Sequence, residues 1–237
     1  MSAAVSTPSP STPSAPGWLH RALRHRSFVI GAVLSALLIL AALLSFVWTP
    51  WSPYEMDLAN KLASPSAKHW LGTDAFGRDV ASLLLVGARN SILVGVIAVG
   101  IGLTIGTALG LLAAAKRGWV EELIMRLADF TFAFPAILSA IMMTAVFGAG
   151  IVNSIIAIGI FNIPTFARVT RASANAVWSR EYILASRACG KGSWRITLEH
   201  VLPNILSVLI VQATIQFAIA ILAEAALSYL GLGTQPP

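Results

Sequence analysis

Charge is what this sequence has least of. Only 11% of its 237 residues are Asp, Glu, Lys or Arg, against about 25% in an ordinary soluble domain. With 57% hydrophobic residues and a mean hydropathy of +0.78, it reads as an integral membrane protein whose helices satisfy their own backbone groups in lipid. There is one cysteine, Cys189, so an intrachain disulfide is excluded. A phosphate-binding loop is missing too: Gly190-Lys191-Gly192-Ser193 has neither the upstream glycine nor a hydroxyl residue directly after the lysine. No His-Glu-x-x-His, metal-ligand cluster or credible catalytic triad is present, and His20, His25, His69 and His200 are scattered. These absences argue against an enzyme, against a bound metal and against a cofactor on this chain. The net charge of +6 does not point to nucleic acid, because the cations flank apolar runs and membrane topology accounts for them.

The long uncharged runs set the architecture. Residues 1–27 form a Ser/Thr/Pro-rich tail with a basic end, expected to be disordered. Residues 28–48 are an uncharged run long enough to cross about 30 Å of hydrocarbon, read as an uncleaved first span, with Trp48 and Trp51 at the interface. Residues 49–89 are a polar loop. The second span, 90–115, carries Gly102, Gly106 and Gly110 at four-residue spacing, a bare face that lets a neighbouring helix approach closely. Residues 116–129 read as a short charged connection. Residues 130–167 are too long for one span and suit two, turning near Gly148, Gly150 and Asn153, with Pro135 in the first turns of one and a kink at Asn162 and Pro164 in the other. Residues 168–200 form a basic loop, 201–223 a fifth span, and Glu224 an interfacial carboxylate at its outer end. The expectation is thus an all-α polytopic bundle of five spans, none with an internal charge of the kind an ion relay needs. Placing the N-terminus in the cytoplasm puts twelve of the sixteen Lys and Arg residues on that side; the other four, Lys61, Lys68, Arg78 and Arg89, lie in the outside loop beside Glu55, Asp57, Asp74 and Asp79.

The basic loop is the segment with chemistry to offer. Glu181 to Cys189 contains few helix breakers and carries the small residues Ala185, Ala188 and Cys189, a face that can sink into a groove on a partner. Gly190 and Gly192 can take positive φ and end that helix, Ser193 can cap a second one, and Pro203 marks entry to the fifth span. Arg180, Arg187, Lys191 and Arg195 are available for acidic partner residues or lipid phosphates. On composition alone, a plain cytoplasmic loop obeying the positive-inside rule fits the same residues.

Ala185-Ser186, Gly190 and Leu202-Pro203, with thirteen residues from Gly190 to Pro203, resemble the Glu-Ala-Ala loop of ABC importer permeases. Leu184, Ser186 and His200 depart from that general pattern and resemble the narrower group of dipeptide, oligopeptide and nickel permeases. HWLGTDAFGRDV (69–80), GARNSILVG (87–95), MRLADFTFAFPAILSAI (125–141) and EAALSYLGLGTQPP (224–237) resemble the same group. The resemblance implies a type I importer permease core over 90–237, with a sixth helix beyond the QPP segment that is missing here. It implies half of a pathway for peptides or a related small solute, nickel included. Implied partners are ABC ATPase subunits carrying Mg-ATP, a second homologous permease, an extracytoplasmic substrate-binding protein and the bilayer of a bacterial plasma membrane. Docking of the ATPase is expected on Glu181, Ala185, Ser186, Arg187, Ala188, Gly190, Lys191, Arg195, Leu202 and Pro203. The polar segment with Gly72, Asp74, Gly77, Arg78 and Asp79 is expected to shape the periplasmic mouth. The alternative is a stand-alone secondary transporter or channel, which would be expected to show intramembrane ionisable residues or broken repeat helices.

Overall fold

The computed structural model describes residues 23–233; the expectations for residues 1–22 and for the last four residues fall outside them. Among the described residues the chain is a helical bundle without strands. Its elements are α1 (Arg26–Val47), α2 (Val80–Lys116), α3 (Gly118–Phe132), α4 (Ala136–Phe147), α5 (Ile151–Trp178), α6 (Glu181–Ala188), α7 (Ser193–Ile196), a π turn (Thr197–Val201) and α8 (Leu202–Tyr229). Four helical stretches are long and apolar enough to cross a membrane, and five when the bent pair α3–α4 is taken as one.

The core is the contact between α2 and α5, and the glycine stripe makes it. A Cβ on Gly102 would lie 2.3 Å from Asn162 Cβ, one on Gly106 2.5 Å from Ile163 O, and one on Gly110 2.5 Å from Ala167 O. Each step of four along α2 meets the next turn of α5, so the two helices run parallel with backbones nearly touching. Phe166, fully buried, packs beside Gly106. Helix α8 closes the other side, with Phe217 set against Gly95, and α1 lies at the periphery against α2.

Several boundaries differ from the sequence expectation. Helix α2 starts at Val80 rather than Asn90, because the Asp79 carboxylate caps it by accepting the Ser82 N–H at 2.8 Å. Arg89, in its third turn, lays its guanidinium over the Phe46 ring at 5.0 Å. Residues 118–132, read as a connection, are helix α3. The bundle breaks instead at Ala133–Pro135, where α3 and α4 meet at 81°; proline disfavours helical backbone in the residue before it. Helix α5 passes through Pro164 and continues to Trp178, beyond the expected end at Ala167. It can do so because Arg168 pairs with Asp129 and Arg171 with Glu121, both on α3.

Candidate coupling loop

Residues 181–204 form an elbow, built upward from one glycine. Helix α6 ends at Ala188 with Cys189 as its cap residue, Gly190 follows at φ +80°, the Gly190 N–H donates to Arg187 O at 2.9 Å, and the Lys191 N–H donates to Ser186 O at 3.2 Å. This is the Schellman motif, and its left-handed residue favours glycine. Gly192, by contrast, is at φ −69° and Ser193 makes no capping bond; α7 begins from extended backbone at Gly192. The π turn follows, with the Leu202 N–H reaching back to Thr197 O. A widened turn gives the Pro203 ring room that a regular helix would deny it. Helix α7, the turn and α8 therefore run as one continuous rod over Ser193–Tyr229.

Ile183, Ile196 and Val201, all fully buried, anchor the elbow to the bundle. On the other face Tyr182, Leu184, Ala185, Ala188 and Cys189 are exposed, as are Glu181 and Gly190; Ser186 is half-buried, its hydroxyl donating to Tyr182 O. Leu202 is half-buried and Pro203 exposed at the root of α8. The cations are less available than their sequence suggests. Arg187 lies over the Trp178 ring at 4.8 Å. Lys191 Nζ and Arg195 Nε grip the two oxygens of Glu199 at 2.7 and 2.5 Å. Sequence reasoning passed over Glu199 and Trp178; an acid four residues after Arg195 was the one legible signal.

The segment read as the periplasmic mouth folds on itself. Asp74 accepts the Phe76 and Arg78 N–H groups and pairs with the Arg78 guanidinium at 2.7 Å. Asp79 pairs with His69 at 3.0 Å, and Ser82 Oγ receives the Trp51 N–H at 3.0 Å. Gly72 and Gly77 sit at φ +79° and +76° against the backbone of Ala63 and Asp57. Asp74 and Arg78 hold each other, while Gly72, Gly77 and Asp79 engage Ala63, Asp57, His69 and Ser82; together they fasten the loop to the start of α2. Burial pushes both carboxyls up, but hydrogen bonds outweigh it and hold them below the ordinary carboxylate range, from Arg78 and Phe76 for Asp74 and from Ser82 and His69 for Asp79. Acids with lowered folded pKa values contribute stability that is present above the unfolded value near 4 and is lost as pH falls through the folded values. Tryptophan fluorescence should thus report loss of the two carboxylates' contribution to this loop only below about pH 4. Asp79→Ala should give the loosened signal at neutral pH, with a loss of about 1 kcal/mol in stability for the missing cap.

Glu224, expected at an interface, is 5% exposed, its carboxylate accepting from Ser228 at 2.7 Å and facing Ser91 of α2 at 3.5 Å.

Known proteins match this geometry in sequence and in fold. Residues 106–237 match the family described as binding-protein-dependent transport system inner membrane component, and residues 18–65 match the N-terminal TM domain of oligopeptide transport permease C. The Dipeptide transport system permease protein DppC of Alkalihalophilus pseudofirmus is 42% identical over 90% of this chain and 70% of its own length. The Glutathione transport system permease protein GsiD of Pectobacterium atrosepticum is 39% identical over 87% of this chain and 70% of that one. A chain of the MetNI methionine ABC transporter in an inward-facing conformation shares the fold at TM-score 0.57 and 20% identity, over 62% of this chain and 74% of that chain. With its apolar spans, its glycine-locked core and these relatives, the chain belongs to the binding-protein-dependent transport system inner membrane components, as a multi-pass permease subunit.

Proposed function

We propose that this chain forms half of the translocation pathway of an ATP-driven peptide importer, and that the elbow 181–204 receives a separate ATPase subunit. The observation that carries the reading is the exposed small-residue face of α6, fixed by buried Ile183 and a Schellman turn to a rod that runs through the bundle. In this reading a partner pressing there moves the rod with it. The N-terminus and the elbow are cytoplasmic in this reading, 49–89 lies outside, and 90–237 is the permease core. The partners are ABC ATPase subunits carrying Mg-ATP, a second homologous permease and an extracytoplasmic binding protein. Peptides are the solute class favoured by relatives named for dipeptide and glutathione transport. The clasped segment with Gly72, Asp74, Gly77, Arg78 and Asp79 gives the outer mouth a fixed shape.

The internal pairing of Lys191 and Arg195 with Glu199 assigns affinity for the ATPase to shape and apolar contact more than to salt bridges. The complete transporter in proteoliposomes should import radiolabelled dipeptides only with ATP inside the ATPase-bearing compartment and binding protein on the opposite side. Transport by this chain alone, without ATP, would establish the stand-alone carrier instead.

A further inference from the structure

Polar side chains are costly within a bilayer and persist there where a partner or a hydrated space receives them. Asn162 on α5 is 6% exposed and Gln216 on α8 is 7% exposed. The Asn162 amide nitrogen is enclosed and has no hydrogen-bond partner among the described residues. The residue sits where α2 and α5 approach closely: a Cβ on Gly102 would lie 2.3 Å from Asn162 Cβ. Asn162 and Gln216 both line one cavity of about 360 Å³ between α4, α5 and α8, whose other walls include Ile137, Ile158, Ile219 and Leu222. Asn162 stands about 17 Å along α5 from Ile151 and Gln216 about 21 Å along α8 from Leu202. Each therefore falls in the central part of its helix, within a run long enough to cross a hydrocarbon core about 30 Å thick.

The geometry points to this cavity as this chain's share of the solute path, with the Asn162 and Gln216 amides hydrogen-bonding the backbone of a peptide in transit. The proposal rests on the peptide-importer reading. A carboxamide offers donors and an acceptor, the complement of a peptide group, and the apolar walls tolerate varied side chains. A small, mostly apolar cavity with a few convergent polar groups is the usual form of a small-molecule site. A second permease could be imagined to take the same bonds. Residues more than nine-tenths buried within their own chain, however, are recessed from any flat subunit contact.

The test uses the complete transporter in proteoliposomes, with Asn162→Leu and Gln216→Met, close in length to the residues replaced. Import of radiolabelled alanyl-phenylalanine is measured per ATP hydrolysed. Each variant should import about fivefold less peptide per ATP, the loss of one hydrogen bond of ordinary strength, while ATP hydrolysis stimulated by the binding protein and subunit stoichiometry stay at wild-type levels. Unchanged peptide per ATP overturns the proposal. Loss of the second permease from the purified complex also overturns it, making the amides assembly contacts. A wild-type transporter that imports no peptide, only another solute, overturns the peptide reading itself and this proposal with it.

Discussion

Gly106→Leu should leave almost no folded permease in the membrane. The Cβ alone would stand 2.5 Å from Ile163 O and 2.6 Å from Phe166 Cβ. Neither neighbour can yield cheaply: one is backbone, and the other belongs to a fully buried ring. The strain falls on the contact that holds the bundle together, so the helices must part over several turns. A cost of about 3 kcal/mol or more is expected, at the upper end for overpacking a closed interior, a large part of the stability of an ordinary domain. Thermal unfolding of the detergent-solubilised chain should move down sharply, or the chain should be lost to proteolysis. Gly100→Ala supplies the contrast, because a Cβ there meets nothing within 4 Å and the helix gains a better former. If Gly106→Leu unfolds no earlier than Gly100→Ala, the parallel α2–α5 contact is not what holds the fold.

Ala185→Arg should leave the chain folded and stop ATP-driven import. Ala185 is exposed on α6, so the longer side chain can extend into solvent without entering the core. It does fill the face that, in the proposed function, enters a groove on the ATPase. Co-purified ATPase should fall about tenfold or more, equivalent to about 1.4 kcal/mol, and import with it, while the thermal unfolding of the chain stays put. Reversing the charge of Lys191 and Arg195 is a poorer probe of docking. It breaks their grip on Glu199 and so disturbs the elbow itself. Wild-type ATPase recovery with Ala185→Arg would locate the coupling surface elsewhere.

Much of this was readable from residue order. Uncharged runs gave the spans, and four-residue glycine spacing gave the close helix pair, because both depend on what lies within a turn or two along the chain. The Gly190 turn was readable for the same reason. Charges misled where their partners were distant in sequence. Arg168 and Arg171 looked like the start of a loop, yet α5 continues through them, since Asp129 and Glu121 wait on α3. Lys191 and Arg195 looked free for a different reason: Glu199, only four residues beyond Arg195, was overlooked. Pro164 looked like an interruption and Pro135 a minor feature of a helix start. In the fold Pro164 sits inside α5, while the chain turns through 81° at Pro135. Asn162 and Gln216 carry no local pattern at all. Only the three-dimensional meeting of α4, α5 and α8 sets them into one cavity.

The unbroken run from Ser193 to Tyr229 has a mechanical corollary. Thirty-seven residues of helix make a shaft about 55 Å long. Pivoting it by about 10° near its middle displaces each tip by about 5 Å, close to one helical pitch. Gln216 lies nearer the fulcrum than either tip, and Glu224 rides toward the far one, facing Ser91 of α2. Under the proposed function, a modest push on the elbow would be returned, reversed in direction and similar in size, at the far end of the shaft.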